Sequence, residues 1–268
     1  MKNILEKVCN LAVKVGQYQQ QQRKTFSRDK VETKHSHDYV SYVDKQSEMM
    51  IVSELKDLLP EAGFITEEKT TEQTNGSEYE WIVDPLDGTT NFIHDLGPWC
   101  VSIALKHFGE LILGVVYEVS REELFYASKG FGAWLRTSEN EVRRLSVSPV
   151  RDVDNSLVCI GYPYNADEYR DFCTSLTARL YGHCISIRSL GSAEAELCYV
   201  AAGRIDTYIE SFIHPWDVSA GAVILKEAGG IITDYRGTDK LWPSGREVLA
   251  TNGKIHADIL IRILQCRH

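Results

Sequence analysis

"WIVDPLDGTTNF", Trp81 to Phe92, decides how this chain is read. An apolar run delivers Asp84 at its end, and three residues later Asp87 stands before a glycine and two threonines. Pro85 fixes its own φ and Gly88 permits backbone angles closed to other residues, so the chain bends sharply where a strand ends. Backbone N–H groups at Gly88, Thr89 and Thr90 would open a helix there, and a helix start attracts anions. Asp87 alone reads equally well as the N-cap of that helix. Capping does not explain Asp84, which comes straight out of a buried strand.

Working outward, the neighbouring segments are short and apolar: "FIT" before Glu67, then "CVSIAL", "LILGVVYEV" and "ELFYAS". Val101–Leu105 and Leu111–Val119 are joined by "KHFGE", a hairpin with its glycine in the turn. The middle of the chain is therefore a mostly antiparallel sheet. Upstream, Ile4, Leu5, Val8, Leu11, Ala12 and Val15 mark one face of a helix that continues through "YQQQQR". "KTFSRDKVETKHSHDYVSYVD" reads as a loop or β-hairpin, and a helix follows from about Lys45 to Leu59, ended by Pro60. Beyond "RRLSVSPV" strands and helices alternate. "SLVCIGY", "CISIRS", "RIDTYIE", "GIITD" and "VLATN" are the strands; 166–181, 192–202, 216–228 and the C-terminal segment are the helices. The chain is α/β, with a soft boundary near residue 145 between halves 1–145 and 146–268 that share one core.

The 268 residues include 43% hydrophobic and 25% charged side chains, the balance of an ordinary globular protein. No apolar run approaches the length of a bilayer span. "MKNILEKVCNLAVKV" is interrupted by charges, unlike a signal peptide, so a cytoplasmic location is expected. The seven cysteines are scattered and never form CxxC, which argues against disulfides and a thiolate zinc site. A net charge of −9 weighs against a protein that grips nucleic acid through its whole surface.

Three further acidic residues share the pattern of Asp84. Glu67 and Glu68 close "FITEE", and Asp217 stands beside Trp216 at an expected helix start, where an N-cap is the competing reading. If the acids at these segment ends converge, each pair about 4 Å apart costs about 1 to 4 kcal/mol. A marginally stable domain tolerates that only with cations between them. All-oxygen ligands suit Mg²⁺.

With "ITEE" upstream and "WDVSAGAVILKEAGG" downstream, "WIVDPLDGTTNF" closely resembles the inositol monophosphatase family of metal-dependent, lithium-sensitive phosphatases. The resemblance runs from the loop near Lys34 to Gly229 and Gly230. It implies a layered αβαβα sandwich with two sheets. It implies Glu67, Asp84, Asp87, Asp217 and the Leu86 carbonyl as ligands of two or three Mg²⁺ ions. It implies Gly88 and Thr89 as the phosphate cradle, and Asp44 with Thr89, alongside Glu67, as the catalytic group that orients and deprotonates water. Gly191, Ser192, Ala193 and Glu210 would meet a phosphorylated polyol or sugar, and Lys34 would accompany a weaker metal site. Asp44 also reads as the N-cap of the helix from Lys45, and Ser192 as a cap of its own helix. His35, His37 and His214 receive no role. The activity implied is hydrolysis of inositol monophosphate by metal-activated water, in a homodimer, without a membrane. 3′-Phosphoadenosine 5′-phosphate, fructose 1,6-bisphosphate, NADP and histidinol phosphate are the sibling substrates. A binding module in a transcription complex is the alternative of a different class.

Overall fold

The computed structural model describes residues 1–27, 31–35, 38–164, 166–239 and 247–266, with 31–35, 38 and 39 described by backbone alone. Helix α1 (Lys2–Arg23) turns its buried face, Val8, Leu11, Ala12 and Val15, to the molecule. A two-stranded antiparallel ribbon follows, β1 (Val31–His35) with β2 (Asp38–Ser41), so the polar stretch takes the hairpin form. Helix α2 (Tyr42–Leu58) begins three residues before the expected Lys45. Ser41 is its N-cap and Asp44 occupies the N3 position of a capping box, which corrects the reading of Asp44 as N-cap.

Strands β3 (Gly63–Thr66) and β4 (Tyr79–Asp87) come next, then helix α3 (Thr89–His94). Strands β5 (Cys100–His107), β6 (Glu110–Glu118), β7 (Glu123–Ser128), β8 (Ala133–Arg136) and β9 (Val142–Arg144) complete a seven-stranded sheet in simple chain order. Among the described residues of this sheet, only β3 and β4 pair in parallel. The hairpin between β5 and β6 turns on Phe108 and Gly109, both at positive φ, as the mirror-image turns of two-residue hairpins require. β8 and β9 were not expected: they are short, and β9 is exposed throughout.

The second sheet orders β11 (Ser186–Arg188), β10 (Leu157–Gly161), β12 (Thr207–Glu210), β14 (Val248–Thr251) and β13 (Ile231–Thr233). Helices α4 (Ala166–Leu180), α5 (Ala193–Ala201), α6 (Ser219–Glu227) and α7 (His256–Leu264) belong to this half of the chain. Three apolar clusters define the layers. One lies between α1, α2 and the seven-stranded sheet. The second holds α5 and α6 between the two sheets. The third packs α4 and α7 on the outer face of the five-stranded sheet. The result is the expected αβαβα order. Gly114 in β6 makes the middle layer possible, because a Cβ there would stand 2.3 Å from the Ala220 carbonyl oxygen of α6.

Candidate active site

The bend at Asp84–Asp87 is a β-bulge. Asp84 lies opposite Ser102 and Asp87 opposite Cys100, so three steps on β4 match two on β5. Odd spacing in a regular strand would put the two carboxylates on opposite faces. The extra residue returns them to one face, and Pro85 sits inside the bulge, where a missing N–H breaks no ladder. Asp84 is buried and accepts the Leu86 N–H at 2.9 Å. Burial, then the charges of Glu67, Asp87 and Asp217, push its carboxyl well above the ordinary range. Asp217 is pushed the same way by loss of water and by Glu67. Asp87 rises to about 6 through burial, opposed by donors from Ser192, Glu194 and Ala193.

Asp87 does not cap α3, whose N-cap is Gly88 at φ 94°. It caps α5 instead, taking the N–H groups of Ala193 at 3.2 Å and Glu194 at 2.9 Å and the Ser192 hydroxyl. Asp217 likewise is no N-cap: α6 begins at Ser219, and Asp217 accepts the His214 N–H at 2.7 Å within the preceding turn. The capping reading does hold for Ser192 on α5.

Asp44 approaches from α2. One oxygen takes the Ser41 N–H at 2.8 Å and hydroxyl at 2.6 Å. The other takes the Thr89 hydroxyl at 3.0 Å, which also lies 3.1 Å from the Leu86 carbonyl. Burial lifts Asp44 to about 6. One turn along α2, buried Glu48 takes the Thr66 hydroxyl at 2.9 Å and the N–H groups of Glu68 and Thr70 at 2.7 Å, fixing the strand end that carries Glu67. From α1, buried Gln19 donates to the Pro85 carbonyl at 2.7 Å, holding the bulge from behind. Sequence reading missed both residues. The signal for Gln19 was its place four residues after Val15 on the buried face.

The turns from the two halves meet. A Cβ on Gly88 would stand 3.0 Å from the Pro98 carbonyl oxygen and 3.1 Å from that of Gly191. Asn91 ties the same region by donating to the carbonyls of Pro98 at 2.8 Å and Leu190 at 2.7 Å. Glu210 ends β12, accepts the Tyr208 hydroxyl, and is lifted to about 7 by burial. Its charge is felt at Asp217, and that of Asp87 at Glu210. Glu67, Thr89, Ala193, Glu210 and Asp217 are half-buried, so this is a cleft with acidic walls and a solvent mouth. His214 stacks on Trp216 at 4.7 Å beside it. The side chain of Lys34, like those of His35 and His37, lies outside the described residues.

The donor set suits a hard divalent cation. Every candidate ligand is an oxygen, and the carboxylates raise one another's proton affinity. The ion pairs among the described residues involve none of Asp84, Asp87 or Asp217. Among the described residues no group of three or more His, Cys, Asp or Glu side chains is drawn close enough together to hold a metal ion as it stands. The fit therefore rests on donor chemistry and mutual repulsion. The cysteines are all free thiols. No helix among the described residues is long and apolar enough to cross a membrane.

The inositol monophosphatase family profile matches residues 1–268. The Nus factor SuhB of Escherichia coli K12 is 37% identical over 222 residues, 83% of this chain and 81% of that protein. The Nus factor SuhB of Pasteurella multocida is 38% identical over 241 residues, 89% of this chain and 88% of that protein. The IMPase of Thermotoga maritima superposes with a TM-score of 0.88 at 31% identity, covering 100% of this chain and 98% of that one. The inositol monophosphatase of Anabaena does so with a TM-score of 0.84 at 32% identity, covering 98% and 96%. With the bulged acidic turn, the layered fold and a profile match along the whole sequence, the chain belongs to the inositol monophosphatase family.

Proposed function

We propose that this chain is a Mg²⁺-dependent phosphomonoesterase that hydrolyses inositol monophosphate to inositol and phosphate. The observation that carries the reading is the Thr89 hydroxyl bonded to buried Asp44 beside a cleft of mutually repelling carboxylates. Residues 1–145 supply most of the charge-handling groups, and 146–268 supply Asp217 and the substrate contacts. Glu67, Asp84, Asp87, Asp217 and the Leu86 carbonyl would hold two or three ions, with Lys34 near a weaker one. When bound, Mg²⁺ would neutralise these carboxylates and lower the pKa of water, easing the loss of its proton.

The chain's own groups do the rest. Thr89 donates a hydrogen bond to Asp44, so its oxygen can accept one from an attacking water and pass the water's proton on to Asp44. Asp44, lifted to about 6, is a stronger base than an ordinary carboxylate and closer to neutral pH. Glu67, whose charge is felt at Asp44, would complete the catalytic group. The N–H groups of Gly88 and Thr89 would hold the phosphate. Gly191, Ser192 and Ala193 would orient the ring, and Glu210 would accept ring hydroxyls, its direction fixed by Tyr208. The homodimer, cytoplasmic location and lithium sensitivity remain part of this proposal.

The test is phosphate release from inositol 1-phosphate, 3′-phosphoadenosine 5′-phosphate, fructose 1,6-bisphosphate and NADP, each with Mg²⁺ and with EDTA. Mg²⁺-dependent preference for inositol 1-phosphate is expected, and preference for another member would move the substrate while keeping the mechanism. The name Nus factor, carried by the Escherichia coli and Pasteurella multocida relatives, supports a second reading as a binding module of a transcription complex. Silence across the panel with Mg²⁺ bound would favour it.

A further inference from the structure

Helix α6 has no cap of its own. Its N-cap residue is Val218, whose side chain cannot accept a hydrogen bond, and a helix start leaves several N–H donors open. The Ser219 N–H turns back to the Pro215 carbonyl at 3.1 Å, and the next two donors go to Glu194, a fully buried residue of α5. Ala220 donates to its Oε1 at 3.2 Å and Gly221 to its Oε2 at 2.6 Å. Ser102 of β5, the residue paired with Asp84, adds its hydroxyl to Oε1 at 2.9 Å. Gly221 is shaped to this contact, since a Cβ there would stand 2.6 Å from Glu194 Oε2 and 2.6 Å from Leu197 Cβ.

The same residue is tied at its other end. The Glu194 backbone N–H donates to Asp87, 107 positions earlier in the chain. Carboxylates thus cap two helices in series: Asp87 caps α5, and Glu194 on α5 caps α6. Asp217 stands two residues ahead of α6. The backbone of Glu194 meets β4 and its side chain meets β5 and α6, so three separate elements converge on this one residue of α5.

We propose that Glu194 is a positioning residue, which sets Asp87 and Asp217 at the separation that divalent-cation binding requires. It reaches no solvent and so touches no substrate; it acts through the starts of α5 and α6. The inference rests on the reading above of Asp87 and Asp217 as Mg²⁺ ligands. Glu194→Gln is the informative change because it preserves volume. If the amide oxygen stays towards Ser102 and Ala220, the NH₂ faces the Gly221 N–H, donor against donor, and the start of α6 must move.

The experiment is Mg²⁺ titration calorimetry on the full chain after EDTA stripping, for wild type, Glu194→Gln and Val158→Ala. Val158 is buried in the outer cluster of the five-stranded sheet, away from the cleft, and controls for lost stability alone. Glu194→Gln is expected to weaken Mg²⁺ binding by about 10–100-fold, the usual cost of losing a group that orients ligands. Val158→Ala should lower Tm while leaving Mg²⁺ affinity unchanged. Hydrogen exchange at 219–222 in EDTA should quicken in Glu194→Gln and not in Val158→Ala. Unchanged Mg²⁺ affinity in Glu194→Gln overturns the proposal alone, as does an equal loss in Val158→Ala. Wild type that binds no Mg²⁺ overturns the site reading and this proposal with it. Should Glu194→Gln not fold, Ser102→Ala removes a single donor and is expected to weaken Mg²⁺ binding several-fold; no weakening would count against the proposal.

Discussion

At the residue scale, Asp84 shows how function and stability oppose each other. Its folded carboxyl lies well above the ordinary range, pushed there by burial and by Glu67, Asp87 and Asp217. A raised carboxyl destabilises the fold increasingly as pH rises, because the unfolded chain releases its proton first. Asp84→Asn is therefore expected to abolish Mg²⁺-dependent phosphate release yet melt no lower than wild type in EDTA at pH 8. Activity retained at saturating Mg²⁺ would remove Asp84 from the ligand set. Asp44→Asn keeps an oxygen for the Ser41 N–H and so keeps the capping box, while losing the base. Turnover should fall by about 10²–10⁴-fold with Tm little changed. Glu196 gives a cleaner pH signature, since it accepts the Leu190 N–H at 2.8 Å and lies outside the ligand set. Burial lifts it from 4.5 to about 8. Its stabilisation is full below about 4.5 and is lost as pH rises through about 8, so Glu196→Gln should flatten the fall of Tm over that window. The local acids were legible in sequence because a tight turn announces itself within a few residues. Glu48 and Glu194 were not. Each looks like an ordinary helix acid until the strand end or helix start that it satisfies is folded against it.

At the element scale, α2 is a post with two brackets. Asp44 on its first turn holds Thr89, and Glu48 one turn later holds the chain around Glu67. Glu48→Ala would leave the Thr66 hydroxyl and the Glu68 and Thr70 N–H groups short of a partner. We expect a loss of about 1–2 kcal/mol in denaturant unfolding, since a buried unsatisfied group costs about 1–3 kcal/mol and only Thr66 of the three is buried away from water. A change within 0.5 kcal/mol (roughly the scatter of ordinary surface substitutions) would show that water replaces the carboxylate. Element boundaries were the weakest part of the sequence reading, for physical reasons. Tyr42 and Val43 carry strand-like side chains, so the start of α2 was placed late although Ser41 and Asp44 form its capping box. The start of α6 was placed early because Trp216 and Asp217 resemble a capped helix, whereas Asp217 folds back on the His214 N–H. β8 and β9 are too short to show a period.

At the scale of the whole molecule, the middle layer decides how much each half depends on the other. α6 rests directly on β6 because Gly114 has no side chain, and Gly114→Val would press two methyl groups into the Ala220 carbonyl. Overpacking of this kind costs about 1–3 kcal/mol. Because the displaced helix begins just after Asp217, Mg²⁺-dependent activity should fall along with Tm. A variant that loses Tm and retains full activity would show that the start of α6 is insulated from its middle. The layer order itself was legible, since the alternation of short apolar segments specifies sheets and helices. The bulge was not, because an extra residue in a strand is visible only once its partner is known. The shared middle layer also sets a timetable for synthesis. When β9 has left the ribosome, the inner face of the seven-stranded sheet already presents Ile82, Ala104, Val116, Phe125 and Leu135, all buried in the finished protein beneath helices not yet made. Until α5 and α6 emerge, that surface is a sticky intermediate suited to chaperone capture or self-association, and the long wait between β9 and α6 is where heat or crowding would divert the newborn chain.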